Sequence, residues 1–410
     1  MSKLEEMLKY VSEHNEFYKN RIKEYGIKDP LDITQWPILT RKELQENRYN
    51  MFSDGYKSKY FNQQLRRQSS SGSSGVPVNV YWDYKDWYAS NLSLWRKRLQ
   101  WYGIKPNDRC VVFINSFNNK LGNKAVYYIN EPSNILSVNI SLMQTDEQYR
   151  ALIEIINEFE PVWLYVQPFI LSKLVYLYKK YGINKPTSLR YIESVGELLP
   201  SDVRRSATDL FKVELANMYG SEEMSGIAYE CPVHHLHVLD ENVVVEVKNE
   251  CGIHLIGEGE TIITNLNNKA MPSVRYNQGD YIRIKELKSP CLCGYCSTEI
   301  EVIKGRALDV IKLRDGFELN SLMLLEIMAK INNEFSDIIL NYRYVYYKST
   351  NSLICCIALD DEKSKWYGVV KKEIEKSFTK LNLSDKIRFE IVLDKKHDET
   401  RKRTIVQIES

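Results

Sequence analysis

Strand-like and helix-like segments alternate through the middle of the chain, and this alternation constrains the fold more than any other feature. The runs at 111–114, 162–166 and 189–192 are short, apolar and rich in β-branched and aromatic residues. The segments 142–159 and 169–181 between them have the length and apolar spacing of helices. Strands that alternate with helices form largely parallel sheets whose faces the helices cover. The sequence therefore predicts an α/β fold.

Two later parts of the chain have a different pattern. From Asn242 the runs NVVVEV and ETIITNL, with Gly257 and Gly259 before the second, predict a smaller antiparallel or barrel-like β-rich subdomain. Beyond the segment GRALD, strands and helices alternate within about a hundred residues, which predicts a compact α+β unit ending in a charged tail, KKHDETRKRT. We predict a large N-terminal domain over 1–305, with helix-covered sheets and the β-rich subdomain, and a small C-terminal α+β domain over 306–410.

Composition excludes several classes of protein. The net charge of +2 argues against a protein that binds nucleic acid through its phosphates. No apolar run approaches the ~20 residues of a membrane span. The N-terminus has no apolar segment typical of a secretion signal. It predicts an amphipathic helix with Leu4, Met7, Leu8 and Val11 on one side and a capping box formed by Ser2 and Glu5. We expect a cytoplasmic protein whose eight cysteines are reduced, either free or bound to metal.

The stretch RRQSSSGSSGVPVNVYWD at 66–83 contains a tract made only of serine and glycine, from Ser69 to Gly75. Such a tract is often a flexible linker. Glycine backbones and serine hydroxyls can also direct several donors at a phosphate group. The tract is not the P-loop of NTPases, because Val76 and Pro77 follow it where that motif has lysine and a hydroxyl residue opening a helix. The next residues alternate like a strand. Taken alone, the tract leaves both interpretations open.

Three further motifs follow in chain order: YGSEE at 219–223, MPSVRYNQGD at 271–280 and KGRALDVIKLRDG at 304–316. Together with SSGSSGVP at 70–77, they resemble the core motifs of the adenylate-forming superfamily of acyl-CoA synthetases. The chain looks most similar to the phenylacetate–CoA ligase-like branch, which includes capsule-biosynthesis relatives, also through ITQWPILTRKELQEN and through ESVGELLP at 193–200. The resemblance covers essentially the whole chain. Each motif alone is weak, whereas four in order are specific.

The resemblance implies the fold of adenylate-forming enzymes and a reaction in two steps. A carboxylic acid is joined to the α-phosphate of ATP with release of pyrophosphate, and a nucleophile, often the CoA thiol, then displaces AMP. Six positions are implied to bind the β- and γ-phosphates: Ser70, Ser71, Gly72, Ser73, Ser74 and Gly75.

The other implied ligands of the nucleotide lie in the later motifs. Tyr219 and Gly220, followed by Ser221, would lie against the adenine, and Glu197 would be a further nucleotide-binding residue. Asp280 would accept hydrogen bonds from both ribose hydroxyls, a role that suits a carboxylate because it has only acceptors.

The implied catalytic residues are Glu223, Arg306 and Lys402. Glu223 would hold the Mg²⁺ that bridges the phosphates, and Arg306 would approach the ribose or the phosphates. Lys402 would contact the charge that develops during adenylation, with Lys396 as the alternative. The structural alternatives are a helix cap for Glu223, a turn for Asp280 and a solvated charge for Lys402.

The chain departs from the family pattern at several of these positions. Arg401 stands where a glycine usually precedes the C-terminal lysine, and Val76 stands where a lysine usually follows the phosphate loop. Leu308, followed by Asp309, stands where the family commonly has a charged residue at the pivot between its two domains.

Two patches of cysteine and histidine flank the β-rich segment: ECPVHHLHV at 230–238 and SPCLCGYC at 289–296. Four soft ligands from two loops suit tetrahedral Zn²⁺ with the closed coordination of a structural site. Some phenylacetate–CoA ligase-like proteins carry a comparable pair of patches. The predicted ligands are Cys231, His237, Cys291 and Cys293, with His234, His235 and Cys296 as alternates. The other interpretations are a buried thiol cluster with surface histidines and a catalytic cysteine–histidine pair.

The resemblance implies an ATP-dependent, AMP-forming acid ligase that transfers its acyl group to CoA. It leaves open transfer to an amine or a carrier protein, as in polysaccharide biosynthesis, and a nucleotide-binding relative without turnover. The expected partners are ATP, Mg²⁺, Zn²⁺, CoA and a small carboxylic acid, with no nucleic acid, and a homodimer remains open. We expect the acyl pocket near ESVGE and the aromatic residues Phe117, Tyr127 and Tyr128.

Overall fold

The structure is a computed structural model that describes residues 1–69, 78–114, 125–143, 145–287, 289–306, 310–313, 317–335, 338–359, 365–381, 383, 386–394 and 406–409. The chain forms two compact units, Met1–Gly103 with Met218–Ile303 and Ile104–Asn217 with Lys304–Ser410. The predicted domain division at residue 305 remains a prediction. Among the described residues, no helix combines the length and apolarity that crossing a membrane requires.

The elements are numbered along the whole chain. The α-helices are α1 Lys3–His14, α2 Glu16–Tyr25, α3 Arg41–Glu46, α4 Tyr56–Phe61, α5 Tyr84–Tyr102, α6 Asp146–Phe159, α7 Pro168–Tyr181, α8 Ser201–Phe211, α9 Ser321–Glu334 and α10 Tyr367–Lys380. Short 3₁₀ helices cover Ile33–Gln35, Glu131–Ser133 and Ile140–Leu142.

The strands up to the middle of the chain are β1 Arg66–Ser69, β2 Asn79–Trp82, β3 Cys110–Ile114, β4 Tyr127–Asn130, β5 Ile135–Asn139, β6 Trp163–Val166, β7 Tyr191–Val195, β8 Glu214–Ser221, β9 Ser225–Glu230 and β10 Leu236–Val238. The later strands are β11 Val243–Asn249, β12 Gly252–His254, β13 Gly257–Asn265, β14 Tyr276–Lys285, β15 Glu299–Arg306, β16 Val310–Lys312, β17 Glu318–Asn320, β18 Ile339–Tyr347, β19 Ser352–Leu359, β20 Arg388–Leu393 and β21 Val406–Glu409.

The first unit joins the N-terminal helices to the β-rich segment. The predicted capping box at α1 is confirmed: the Ser2 side chain accepts from the Glu5 backbone N–H, and the Glu5 carboxylate accepts from the Ser2 N–H. Met7, Leu8 and Val11 are buried as predicted, and they share one apolar core with strand residues of β11 and β13. The β-rich part is therefore built together with the N-terminus, which the sequence pattern did not reveal.

Antiparallel pairing dominates the strands of the first unit. β12, β11, β13 and β14 pair in that order, and β10 pairs with both β9 and β15. The prediction of an antiparallel part after Asn242 is confirmed. β1 and β2 form a hairpin, with Ser69 opposite Asn79, on either side of the serine–glycine tract. The rest of the tract, Ser70 to Gly75, lies outside the described residues.

The second unit contains the predicted parallel sheet. β5, β3, β6 and β7 pair in parallel, and β4 adds an antiparallel edge to β5. The sheet packs with α6, α7 and α8 around an apolar core that includes Val111, Leu164 and Ile192 from the strands. The predicted α/β fold and the predicted helices in this region are confirmed, because the apolar periods of strands and helices differ clearly here.

The C-terminal stretch of the second unit is the predicted α+β arrangement. β18 and β19 are antiparallel, β20 runs parallel to β19, and β21 runs parallel to β18. The predicted charged tail, KKHDETRKRT, lies outside the described residues, and residues 406–409 after it form strand β21 with Val406 buried. Asn332 of α9 donates to the Asp202 carboxylate of α8 at 2.7 Å.

A buried ion pair joins three parts of the first unit. Arg275 donates to Glu246 of β11 through two nitrogens, at 2.9 and 2.5 Å, and both side chains are about 5% exposed. Its other terminal nitrogen donates to the backbone carbonyls of Thr34 and Trp36, at 3.1 Å each. All these donors are thus directed at acceptors, which is what a buried charge requires.

We expect Arg275→Ala to lower the free energy of unfolding by about 3–5 kcal/mol, because it leaves the Glu246 carboxylate buried without its counter-charge. Urea and thermal unfolding would measure the loss. Arg283→Ala is the matched control, since Arg283 pairs with Glu258 and Glu301 at the surface and should matter little. An Arg275→Ala protein that unfolds at the wild-type midpoint would contradict the assignment.

Candidate functional site

The motif YGSEE lies on a hairpin of the first unit, formed by the end of β8 and the start of β9. The ladder is irregular here: Tyr219 pairs with Ala228, but Gly220 pairs with Gly226. A Cβ atom on Gly220 would lie 2.5 Å from the carbonyl oxygen of Ser225. Only glycine therefore fits at this position, and the close backbone approach fixes the orientation of the turn that follows.

The motif NQGD forms a bulge in β14. Asn277 pairs with Ile262 and Tyr281 with Glu260, so the three residues 278–280 lie opposite Thr261 alone. Gly279 has φ +84°, a backbone conformation that glycine adopts without strain. Bulges of this kind redirect side chains next to active sites. The motif is thus a specific distortion of a strand.

The two motifs meet through hydrogen bonds between their side chains. The Tyr219 hydroxyl donates to Asp280 Oδ2 at 2.6 Å, and Gln278 Nε2 donates to the same oxygen at 2.7 Å. Gln278 Nε2 also donates to the Tyr219 oxygen at 2.9 Å, and Ser221 Oγ donates to Gln278 Oε1 at 2.9 Å. The residues predicted to bind adenine and ribose, 61 positions apart, therefore lie in one polar cluster.

Glu223 lies on the same hairpin with two further polar neighbours. The Tyr276 hydroxyl donates to Glu223 Oε1 at 3.3 Å, and Arg41 Nη1 is 3.9 Å from that oxygen. Glu223 is 4% exposed, so its charge is held largely away from water. Burial, and then the neighbouring Glu223 charge, raises the pKa of Tyr276 well above its ordinary value, which keeps its hydroxyl proton available to the carboxylate.

Several further predicted site residues belong to other elements or fall outside the described residues. Glu197 belongs to the second unit, in the connection between β7 and α8. Tyr127 and Tyr128 lie on β4 and are about 40% exposed. Arg306 ends β15. The remaining predicted positions fall outside the described part of the chain: Phe117, Leu308, Asp309, Lys396, Arg401, Lys402 and the tract from Ser70 to Gly75.

Three residues of the site were missed by the sequence reasoning. Arg41 precedes Glu223 by 182 positions in the sequence, and no local pattern links them. Tyr276 and Gln278 stand inside a motif that was already recognised, MPSVRYNQGD, but only its aspartate was assigned a role. A hydrogen-bonding side chain directly before the Gly-Asp pair was the signal that could have indicated Gln278.

The four predicted zinc ligands come together in the first unit. Cys231 follows β9, His237 lies in β10, and Cys291 and Cys293 lie in the connection from β14 to β15. Their ligand atoms all lie within 4.8 Å of one another. Each cysteine loop is a tight turn, in which His234 N–H donates to the Cys231 carbonyl and Gly294 N–H donates to the Cys291 carbonyl.

The spacing of these atoms fits a tetrahedral zinc ion. Zn–S bonds of about 2.3 Å separate two sulfurs by about 3.8 Å, and a sulfur from a nitrogen by about 3.6 Å. The Cys231 and Cys291 sulfurs are 4.0 Å apart, and Cys293 Sγ is 3.5 Å from His237 Nε2. Burial raises the pKa of the Cys231 and Cys293 thiols and lowers the pKa of His237. Without a cation the cluster favours neutral ligands, and a divalent ion would stabilise the thiolates.

The three alternate ligands lie outside this group of four. His234 Nδ1 is 2.8 Å from a Glu230 carboxylate oxygen, and Cys296 is exposed. His235 Nδ1 lies 3.5 Å from Cys291 Sγ but is also 3.7 Å from the Glu299 carboxylate. The cluster therefore matches the predicted ligand set, with His235 at its exposed edge.

Comparison with known proteins finds similarity to acid ligases. Over 307 residues the chain is 22% identical to phenylacetate-coenzyme A ligase of Pseudomonas putida, covering 69% of this chain and 65% of that protein. Over 327 residues it is 24% identical to the Escherichia coli (strain K12) enzyme of the same name, covering 75% and 70%. The aligned part is thus about two thirds of the length of these relatives. No protein-family model matches the chain.

A solved structure extends the similarity to the whole chain. The 2-hydroxyisobutyryl-CoA ligase, crystallised in its postadenylation state with R3-HIB-AMP, superposes with a TM-score of 0.77 at 16% identity, covering 99% of this chain and 88% of that one. This likeness establishes the fold. The chain is thus similar in sequence to phenylacetate-coenzyme A ligases and has the fold of the 2-hydroxyisobutyryl-CoA ligase, an acid–CoA ligase.

Proposed function

We propose that the protein is an AMP-forming acid–CoA ligase. In the first step a carboxylate oxygen attacks the α-phosphorus of ATP, which forms acyl-AMP and releases pyrophosphate. In the second step the CoA sulfur attacks the acyl carbon, and the bond from that carbon to AMP breaks. The observation that carries the proposal is the cluster of Tyr219, Gln278 and Asp280, in which two separate motifs of the superfamily converge.

The described residues suit the nucleotide half of this reaction. Asp280 has acceptors for ribose hydroxyls, and the aromatic ring of Tyr219 can lie against the adenine. Glu223 would hold a Mg²⁺ ion, which would supply positive charge for the phosphate oxygens. Arg41 is near enough to Glu223 to contact the same phosphates. From the resemblance we add Ser70 to Gly75 and Glu197 for nucleotide binding, and Arg306 and Lys402 as catalytic residues.

We expect Glu223→Gln to raise the KM for Mg-ATP about tenfold or more. The substitution removes the charge of the carboxylate that would hold Mg²⁺, and interactions of charged groups of this kind are worth ~1.5–3 kcal/mol. Pyrophosphate exchange with a panel of carboxylic acids measures this. Glu222→Gln is the matched control, since Glu222 is the exposed neighbour in the same turn. An unchanged Mg²⁺ dependence of Glu223→Gln would contradict its role.

The same assay separates the proposed function from its alternatives. Exchange with none of the acids would support a nucleotide-binding relative without turnover. Where exchange occurs, mass spectrometry of products formed with CoA, with amines or with a carrier protein identifies the acceptor. An amide as the sole product would overturn transfer to CoA and keep the adenylation step.

We expect Lys402→Ala to slow acyl-AMP formation by at least about a hundredfold, because a charge-stabilising donor in a water-excluded site is worth that much. Thioester formation from preformed acyl-AMP should remain close to the wild-type rate. Rapid-quench measurement of both half-reactions tests this, with Lys396→Ala as the control. If Lys402→Ala forms acyl-AMP at the wild-type rate, the assignment of Lys402 is wrong. If Lys396→Ala is then the slow variant, Lys396 is the adenylation lysine.

We further propose that Cys231, His237, Cys291 and Cys293 bind a structural Zn²⁺ ion. The ion would join the loop after β9 to the connection from β14 to β15, and β14 carries Asp280. A structural zinc site can contribute ~10 kcal/mol or more to folding. Reduced thiols are available in the cytoplasm, the location we expect.

The purified protein should contain one zinc per chain by elemental analysis. Cys293→Ser should lose most of the metal and lower the unfolding temperature, because a three-ligand site binds zinc much more weakly. Cys296→Ser is the matched control, since this exposed cysteine lies in the same loop outside the group of four. The site would be refuted if the purified wild-type protein contains no zinc and is no more stable than Cys293→Ser.

A further inference from the structure

Gln278 lies at the centre of the hydrogen-bonded cluster and contacts every other member of it. Its amide nitrogen donates to Asp280 Oδ2 at 2.7 Å and to the Tyr219 oxygen at 2.9 Å, and its amide oxygen accepts from Ser221 Oγ at 2.9 Å. It occupies the first position of the β14 bulge. A side chain with both a donor and an acceptor end is needed to make these contacts together.

The direction of these hydrogen bonds is fixed at the carboxylate. The carboxylate oxygens of Asp280 only accept, so the amide nitrogen of Gln278 faces them and its amide oxygen accepts from the Ser221 hydroxyl. Ser221 Oγ in turn accepts from the backbone N–H of Met224 at 3.2 Å. The resulting chain runs from the backbone of the Glu223 turn to the Asp280 side chain.

We propose that Gln278 is a positioning residue that orients the Asp280 carboxylate for the ribose of ATP and so makes the site selective for the 2′-hydroxyl. The proposal rests on the function proposed above. Two donors, Gln278 Nε2 and the Tyr219 hydroxyl, converge on one oxygen of Asp280. Together they hold the plane of the carboxylate in one orientation.

A fixed carboxylate plane matters because hydrogen bonds weaken steeply when their angles are poor. A ribose presents its two hydroxyls at a fixed separation, so a carboxylate that turns freely can satisfy one of them but loses the second. Selectivity against the 2′-deoxy sugar depends on that second bond. Removing the Gln278 amide should therefore weaken the hydrogen bonds to the ribose specifically, while the contacts with the adenine and the phosphates persist.

The experiment compares binding of ATP and 2′-deoxy-ATP to the full-length protein by calorimetry. We expect the wild type to prefer ATP by about tenfold or more, because one hydrogen bond to a charged group is at stake. In Gln278→Met, whose side chain has a similar length without the amide, this ratio should fall to within about threefold of unity. Most of the fall should come from weaker binding of ATP.

Thr261→Val is the matched control. Its hydroxyl donates to the backbone carbonyl of Asp280 at 3.0 Å and does not contact the carboxylate. This variant should keep the wild-type ratio of the two nucleotides. Ser221→Ala removes the hydrogen bond that holds the amide oxygen of Gln278, and its ratio should lie between those of the wild type and Gln278→Met.

Each outcome separates the inference from the proposed function. Equal weakening of both nucleotides in Gln278→Met, or a wild type without preference for ATP, would overturn the positioning role and leave the proposed function intact. A wild type that binds neither nucleotide would overturn the proposed function itself. If Gln278→Met does not fold, the ratio measured for Ser221→Ala decides, and a wild-type value there would overturn the inference.

Discussion

The buried ion pair of Arg275 and Glu246 is the interaction on which the geometry of the first unit depends. It joins β11 to the residue that precedes β14, and the remaining guanidinium donors hold the backbone of Thr34 and Trp36. Arg275 adopts φ +50°, which costs an arginine of order 1 kcal/mol and persists only where the surroundings impose it. The ion pair supplies that constraint. The start of β14, and with it the approach to Asp280, is consequently set by charge balance in the core.

The candidate site is made by local departures from regular strands. Gly220 brings two backbones of the β8–β9 hairpin into close approach, and the bulge at 278–280 turns Gln278 and Asp280 toward that hairpin. Gln278 and Asp280 are two residues apart and would share one face of a regular strand. At the bulge both side chains contact the hairpin, through Tyr219 and Ser221. Short motifs, and not long strands, therefore carry the chemical information in this chain.

Much of the fold could be predicted from the sequence, because strand and helix periods are clear from β3 to β7 and in most of the C-terminal α+β part. The convergence of Cys231, His237, Cys291 and Cys293 could also be predicted, since two patches of soft ligands flank the same β-rich segment. What could not be predicted depends on long-range pairing. The proximity of Arg41 to Glu223 and the shared core of α1 with β13 arise from contacts between distant parts of the chain. Strand β21 was missed because a highly charged segment precedes it. The role of Gln278 requires the bulge geometry, which no single sequence displays.

The bulge in β14 also limits how this segment can vary in length. Beyond it, Ile282 and Ile284 are buried, while Arg283 and Lys285 pair with acidic residues at the surface. Asn277 and Tyr281 of β14 are four residues apart, whereas their partners in β13, Ile262 and Glu260, are two residues apart. Both spacings are even, so the alternation of inner and outer side chains is the same on either side of the bulge. An insertion or deletion of a single residue would reverse this alternation beyond the bulge. It would turn Ile282 and Ile284 to the surface and Arg283 and Lys285 into the core. Homologous loops that differ in length here should therefore differ by even numbers of residues.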